Sequence, residues 1–318
     1  MSRQIGVLGS MLTVLAAIGF VLSWSSGFII AAIATVDVAP TTLLVWRFVP
    51  VAIVLLVLGA LTGTLRAVPR AEWRRQSLIG LCAQFGYCVF VYAAVAAGIA
   101  AGTTALIDAV QPLVVATLVG PLLGLRVGRG QWGGLALGAL GVVLVVHTQM
   151  DSATTAPLAY AFPSLAMVCL VVATFLERRS PTTLSVRVRM TIYVTVTAGA
   201  SALLAFLTGT LMPPAAPVFW LQIALLAIVP TLAAYGLYWW LLRRVGITTL
   251  NALLFLVAPA TAAAGFLLLG EPITALTLTG FALCGAGVAL VLVGETRGAS
   301  APSRNAVPEA DRATQNTP

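Results

Sequence analysis

Residues 41–62 read TTLLVWRFVPVAIVLLVLGALT, a block in which Arg47 is the only charged side chain. A helix of about twenty apolar residues is long enough to cross a hydrocarbon core of about 30 Å. The next thirteen residues, GTLRAVPRAEWRR, contain four arginines. An apolar block followed by a basic connection is typical of a membrane-spanning helix that ends on the cytoplasmic side.

The rest of the chain repeats this alternation. Of its 318 residues, 60% are hydrophobic and 8% are charged, whereas about a quarter of the residues of a soluble domain are charged. The composition and the blocks predict an all-α integral membrane protein with ten transmembrane helices. We place these helices near residues 8–33, 41–62, 77–98, 102–124, 130–148, 157–177, 188–209, 218–242, 247–269 and 274–294.

The basic residues, all of them arginines, occur in every second connection. The connections that lack arginine lie around Asp37, Gly98 to Gly102, Asp151, Met212 to Pro217 and Glu271. Under the positive-inside rule these connections are external, so both termini are predicted to be cytoplasmic and the protein to lie in the cell (inner) membrane. Because the arginines follow the loops, the net charge of +8 does not indicate a nucleic-acid partner. The lipid bilayer is the predicted surrounding.

The remaining features of composition predict no metal, cofactor or soluble domain. Every cysteine lies within a predicted span, where small apolar packing is the expected role, and His147 lies near an external helix end. The first apolar block is longer than the h-region of a signal peptide, so we interpret it as a retained span. Residues 295–318 are polar and are predicted to form a disordered cytoplasmic tail.

An internal repeat divides the helices into two sets. Pro112 and Pro259 are 147 positions apart, as are Trp73 and Trp220. The repeat predicts a first five-helix unit in residues 1–148 and a second in residues 157–294. Because five is an odd number, the second unit must be inverted relative to the first. Inverted repeats are characteristic of secondary transporters, which bind their substrate between the two halves.

The chain resembles the EamA branch of the drug/metabolite transporter superfamily over nearly all of residues 8–294. The resemblance rests on Trp24 with Phe28, Arg47, Pro112 and Pro259 within helices, and Gly270-Glu271-Pro272 followed by Gly280 and Gly285. The sequence departs from the family at Leu123-Gly124, which replaces a Gly-Glu pair, and at Ala32, where members often carry lysine. The resemblance implies a ten-helix carrier for metabolites such as amino acids or for amphipathic drugs, often an exporter.

Charged groups inside the predicted spans are the first candidates for function, because burying them in a membrane is costly. Arg47 and Asp108 each lie about six residues from an external helix end, hence roughly 9 Å deep. One hypothesis is that Asp108 binds a proton or a cationic group of the substrate. The alternative is a structural ion pair between Arg47 and Asp108.

Pro112 and Pro259 are candidates for helix breaks. A proline within a helix removes one backbone hydrogen bond and frees the carbonyl four residues earlier. Such carbonyls can bind ligands in transporters, although a kink that improves packing is equally consistent with the sequence. Other polar or aromatic residues near helix centres could line a mostly apolar site or bond between helices. These are Trp24, Gln84, Tyr87, Gln111, Tyr235 and Asn251.

Trp239 and Trp240 adjoin Arg243 and Arg244, which predicts an anchoring role at the membrane interface. Glu271 lies beside Pro272 at an external helix end, which predicts a role in the turn.

The predicted function is a gradient-driven or exchange transporter of a small molecule, with protons as one candidate coupling ion. A passive channel or facilitator is the first alternative, and a membrane-embedded enzyme is the second. An enzyme would be expected to cluster His, Asp, Glu or Ser at its active site, and we predict no enzymatic activity. The sequence has no GxxxxGK[ST] phosphate loop. Substrate, direction of transport and oligomeric state stay open.

Overall fold

A computed structural model describes residues 2–66, 68–111, 113–115, 118, 129–152, 156–179 and 182–299. Within these ranges the chain is helical, with short connections and no strand. The first seven helices are Ser2–Ala34 (α1), Pro40–Leu61 (α2), Arg70–Ala96 (α3), Ala101–Ala109 (α4), Arg129–Ser152 (α5), Ala161–Arg179 (α6) and Val186–Leu207 (α7). A short 3₁₀ turn, Pro157–Tyr160, precedes α6.

The next helical run turns back on itself. Its backbone is helical from Ala234 to Leu269, and a straight helix would separate Tyr235 from Val257 by about 33 Å. Yet the ring of Tyr235 lies 5.6 Å from that of Trp24, and the hydroxyl of the adjacent Ser25 donates to the Val257 carbonyl at 3.3 Å. The run therefore comprises two helices that lie side by side, Pro217–Val245 (α8) and Leu253–Leu269 (α9). Ala275–Ala299 forms α10.

Length and apolarity identify helices that can cross a membrane. Within the described part of the chain six helices qualify, namely α1, α2, α3, α6, α7 and α8. Four shorter apolar helices accompany them: Ala101–Val115, Trp132–His147, Leu253–Leu269 and Ala275–Gly287. Large apolar side chains such as Phe206, which is 70% exposed, cover the outer surface, as expected where lipid replaces water. The chain is thus a multi-pass membrane protein, and the count of ten spans stays a prediction.

The contacts between helices support two equivalent halves. The main packed pairs include α1 with α8, α2 with α7, α3 with α6, α4 with α9, and α5 with α10, and α3 also packs against α7. Under the repeat, each helix of the first half corresponds to the helix five places later in the second half. Replacing every helix by its counterpart converts the α1–α8 pair into the α6–α3 pair. The same exchange leaves the other three pairs unchanged. These five pairs are thus related by the exchange of the two halves, whereas the α3–α7 pair has a weaker counterpart in α8–α2.

The α5–α10 pair supports the opposite orientation of the halves. Gly134 in α5 approaches Gly287 in α10, whereas Gly141, farther along α5, approaches Gly280. Residue numbers thus rise in one helix as they fall in the other, so the helices are antiparallel. Because α5 and α10 are equivalent helices of the two repeats, antiparallel packing is what an inverted repeat requires.

Both α3 and α8 contain a π-helical segment, which the sequence analysis did not predict. The segments are Leu81–Gly86 in α3 and Ala227–Ala233 in α8. They start 146 positions apart and therefore nearly coincide under the repeat. A π-helical turn widens the helix and frequently marks a functional site.

Several helix ends differ from the prediction. The third helix begins at Arg70 instead of residue 77, because the polar turn Arg70 to Gln76 continues the helix beyond the apolar block. The last helix continues to Ala299, five residues into the predicted tail, since nothing in that stretch stops a helix. Residues 300–318, Pro112 and the later part of the predicted fourth span lie outside the described residues.

Candidate functional site

A cavity of about 160 Å³ lies between the helices of the two halves. At one end it is bordered by Asp108, seven residues into α4, and at the other by Glu177, two residues before the end of α6. Trp239, four residues before Arg243, borders the second end as well. The cavity therefore extends from the interior of the helices toward the Arg-rich end. Its other polar or aromatic lining residues are Trp24, Gln111, Thr174, Tyr193, Tyr235 and Tyr238.

Asp108 lines this cavity and has one buried carboxylate oxygen without a hydrogen-bond partner among the described residues. Its Oδ2 accepts a hydrogen bond from the Tyr87 hydroxyl at 3.0 Å. Its Oδ1 is buried and has no hydrogen-bond partner among the described residues. Burying a charged oxygen without a partner costs free energy unless a ligand or a proton compensates it. The arrangement therefore suits the binding of a cation or a proton.

Arg47 is buried with partners of its own. Its Nε donates to the Thr231 hydroxyl at 2.9 Å, and its Nη1 donates to the Tyr92 hydroxyl at 2.8 Å. The guanidinium also lies 4.7 Å from the ring centre of Phe48. Asp108 is not among these partners, so the alternative of a structural Arg47–Asp108 ion pair is wrong. Each of the two residues instead bonds to a tyrosine of α3, Arg47 to Tyr92 and Asp108 to Tyr87.

A smaller cavity of about 40 Å³ adjoins the first and is lined by Arg47, Gln84 and Tyr87. Trp24 and Tyr235 line both cavities. Gln84 accepts from the Thr197 hydroxyl at 3.4 Å, while Gln111 donates to the Thr174 hydroxyl at 3.0 Å. The structure thus brings seven predicted residues around two adjoining cavities: Trp24, Arg47, Gln84, Tyr87, Asp108, Gln111 and Tyr235.

The remaining predicted residues do not join this group. Pro259 lies inside α9, with helical backbone on both sides of it, and is not among the described residues that line either cavity. The carbonyl of Val257, two residues earlier, accepts from the hydroxyls of Ser25 and Thr261. Asn251 lies in a helix, but its side chain is outside the described residues, as is Pro112.

A polar cluster at the Arg-rich end was missed by the sequence analysis. The Tyr193 hydroxyl donates to Glu177 Oε1 at 2.8 Å, and an Arg189 nitrogen lies 3.8 Å from the same oxygen. The Arg189 guanidinium lies 4.4 Å from the ring centre of Trp239. Arg189 and Tyr193 are four residues apart on α7, a spacing that places both on one helix face. The four-residue spacing of Arg189 and Tyr193 was the feature of the sequence that could have predicted this cluster.

Trp239 differs from its predicted role. It lines the cavity and contacts Arg189 instead of anchoring the helix at the interface, whereas Trp240 is 39% exposed. Consecutive residues of a helix point about 100° apart. The two tryptophans therefore could not both face the lipid interface.

Comparison with known proteins adds to this geometry. The model of the EamA-like transporter family matches residues 11–147 and, a second time, residues 157–293. The chain belongs to the EamA-like transporter family. Membership confirms the resemblance seen in the sequence and makes the chain a member of a membrane transporter family. The two matched ranges fall within the two predicted halves.

A solved structure described as "Crystal structure of protein" shares the fold of this EamA-like chain. It is 22% identical, and the alignment covers 91% of this chain and 99% of the other, with a TM-score of 0.62. A search of the curated proteins finds no match. The structural likeness bears on the fold and leaves the substrate open.

The Arg-free end of this EamA-like transporter is closely packed. Glu271, between α9 and α10, accepts a hydrogen bond from the backbone nitrogen of Ala101 at 2.7 Å. A Cβ atom on Gly102 would lie 2.8 Å from the Cα atom of Ala262, so α4 and α9 almost touch. The cavity at this end measures about 10 Å³. Glu271, predicted to serve the turn, joins α9 to the start of α4 as well.

Proposed function

We propose that this EamA-like protein is a secondary transporter that exports small metabolites or amphipathic drugs by alternating access. The observation that carries the proposal is Asp108, which lines a cavity between the two halves and has a buried Oδ1 without a hydrogen-bond partner among the described residues. An intramembrane carboxylate without a counter-ion is a hallmark of substrate or proton pathways. Asp108 then binds either the transported cation or a proton that couples transport to a gradient.

The shape of the cavities supports alternating access. The main cavity reaches the Arg-rich end, and the Arg-free end is closed by the contact of α4 with α9. If ten spans cross the inner membrane and the Arg-rich loops lie in the cytoplasm, this conformation takes up solute from the cytoplasm. If each half adopted the conformation that the other half has now, the Arg-rich end would close and the Arg-free end would open. Release outside the cell makes the protein an exporter.

Reconstituted vesicles test the role of Asp108. A counterflow screen with labelled amino acids and amphipathic cations first identifies a transported solute, with and without a pH gradient. We expect Asp108→Asn to lower gradient-driven transport at least tenfold, because the variant carries no titrating carboxyl. Asp37→Asn makes the same chemical change in an exposed loop and should transport normally. Unchanged transport and unchanged pH dependence in Asp108→Asn would contradict the proposed coupling role.

A further inference from the structure

The charges around the main cavity are unbalanced. Its described lining residues include the acids Asp108 and Glu177 but no arginine, and the chain contains no lysine. Arg189 compensates Glu177 in part, at 3.8 Å. Arg47 borders the neighbouring cavity and donates to Thr231 and Tyr92. Among the described residues Asp108 therefore has no cationic partner, and the inner part of the cavity favours a positive ligand.

The wall formed by α1 and α8 is aromatic. The ring of Trp24 lies 5.6 Å from that of Tyr235 and 6.2 Å from that of Tyr238, with interplanar angles of 39° in both cases. All three side chains line the main cavity together with Asp108. A cation within about 6 Å of an aromatic ring centre is attracted to the ring face, most strongly in a desolvated site. Several rings and one carboxylate are the combination that holds quaternary ammonium groups.

The volume indicates a small ligand. A cavity of about 150 Å³ in another protein admits benzene, which has six heavy atoms. The main cavity here measures about 160 Å³, so a ligand group of roughly six or seven heavy atoms fits. A substrate carboxylate inside the main cavity would meet no arginine among the described lining residues and would be repelled by Asp108.

We propose that the main cavity selects an organic monocation, with an alkylammonium group held between Asp108 and the rings of Trp24, Tyr235 and Tyr238. The inference rests on the proposed function, since it names the substrate class of the same cavity. Amino acids and other zwitterions are then poor ligands, because their carboxylate finds no counter-ion there.

Three probes of nearly equal shape test this selectivity. Choline carries one positive charge, 3,3-dimethyl-1-butanol is its neutral analogue, and glycine betaine adds a carboxylate. We expect titration calorimetry of the purified protein in detergent to show choline binding at least tenfold more tightly than either of the other probes. Equal affinity for choline and the neutral alcohol, or tighter binding of betaine, would overturn the proposal.

Matched variants locate the selectivity. Asp108→Asn should reduce the preference for choline over the alcohol to about twofold or less, while Trp24→Leu should weaken choline binding more than alcohol binding. Asp37→Asn and Trp132→Leu alter an exposed aspartate and a tryptophan that is 55% exposed, so both should retain the wild-type preference. A preference that survives Asp108→Asn in a folded variant would overturn the assignment. The comparison of probes on the wild type decides the matter if that variant does not fold.

The two proposals fail separately. Charge-selective binding without any transport in vesicles would contradict the transporter proposal and leave the monocation site intact. Transport of neutral or zwitterionic solutes, with no preference for a cation, would contradict the monocation site and leave the transporter proposal intact.

Discussion

Asp108 and Arg47 show how the partners of a residue decide its role. Both lie in the helical interior, Arg47 buried and Asp108 partly buried, yet Arg47 is bonded on both sides and Asp108 retains an unpaired oxygen. Their partners Tyr92 and Tyr87 are five residues apart on α3, which in a regular helix is about 140° around the axis. The α3 helix therefore separates the two charges. Arg47 joins α2, α3 and α8, whereas Asp108 lines the main cavity and is the proposed ligand-binding group.

Glu271 predicts a pH dependence of stability. Burial raises the pKa of the Glu271 carboxyl above its usual value, and hydrogen bonds from the Ala101 and Gly102 backbone only partly oppose this effect. A carboxyl with a raised pKa in the folded state stabilises the fold below its unfolded pKa and loses that contribution as pH rises through the folded pKa. In thermal unfolding followed by tryptophan fluorescence, we expect the wild-type melting temperature to fall over this range relative to that of Glu271→Gln.

The control for Glu271 is Asp37→Asn, which alters an exposed carboxyl at the same end of the molecule. It should keep the wild-type pH profile. Parallel profiles of the wild type and Glu271→Gln would show that Glu271 contributes no pH dependence of its own.

At the scale of elements, small residues determine how closely the equivalent helices approach. A Cβ atom on Gly141 in α5 would lie 2.6 Å from both the Gly280 carbonyl oxygen and the Cys284 sulfur in α10. Close approach of helix backbones at small residues is the usual way in which membrane helices associate. The π-helical segments of α3 and α8 act in a different way, since each rotates the residues that follow it. Gln84 and Thr231 lie within these segments and bond to α7 and α2.

Gly141→Leu should destabilise the protein by about 1–3 kcal/mol, because the new side chain has no room between α5 and α10. Thermal or denaturant unfolding in detergent measures the change. Gly199→Leu is the matched control, since nothing lies within 4 Å of the corresponding Cβ on α7. Both changes raise helix propensity by the same amount, so their difference reports the packing. Equal stability of the two variants would contradict the close α5–α10 contact.

At the scale of the whole molecule, the two ends differ. The Arg-rich end borders the main cavity, and the Arg-free end is held by contacts between the halves. The hydroxyl oxygens of Thr41, at the start of α2, and Thr210, after α7, are 2.6 Å apart. If the protein alternates between two conformations, contacts of this kind must open in each transport cycle.

A disulfide between Thr41→Cys and Thr210→Cys should therefore stop transport. The double variant is made in a background in which the four native cysteines are replaced by alanine, and transport is measured in vesicles before and after reduction. We expect activity to be lost on oxidation and restored by a reductant, because the Arg-free end cannot open while cross-linked. Either single variant should be unaffected by oxidation. Full transport by the cross-linked protein would place the moving contacts elsewhere.

The proposed orientation in the membrane has its own test. The test uses Met212→Cys and Thr64→Cys in the same cysteine-free background. Met212 lies in an Arg-free connection and is 82% exposed, while Thr64 lies in an Arg-rich connection. An impermeant maleimide should label Met212→Cys in intact cells and Thr64→Cys only after permeabilisation, because basic loops stay in the cytoplasm. The reverse pattern would invert the proposed direction of transport.

The sequence by itself determined the features that depend on each segment alone. An apolar block partitions into lipid, and arginines stay on one side of the membrane, because of effects local to each segment. The apolar block from Leu43 to Leu61 therefore predicts a membrane helix, and the basic segment from Arg66 to Arg75 predicts where that helix ends. The 147-residue repeat predicted two halves of opposite orientation. Confinement to a narrow layer of the membrane also placed the polar candidates of several spans at similar depth, which is why seven of them meet around the cavities.

Only the tertiary structure decided the partners. Arg47 bonds to Thr231, which is 184 positions away, and no periodicity of the chain encodes which helices touch. The π-helical segments, the cavity position of Trp239 and the unpaired oxygen of Asp108 depend in the same way on packing between distant helices. Such contacts depend on how all the helices pack against one another. The position of a side chain along its helix does not determine which neighbouring helix it faces.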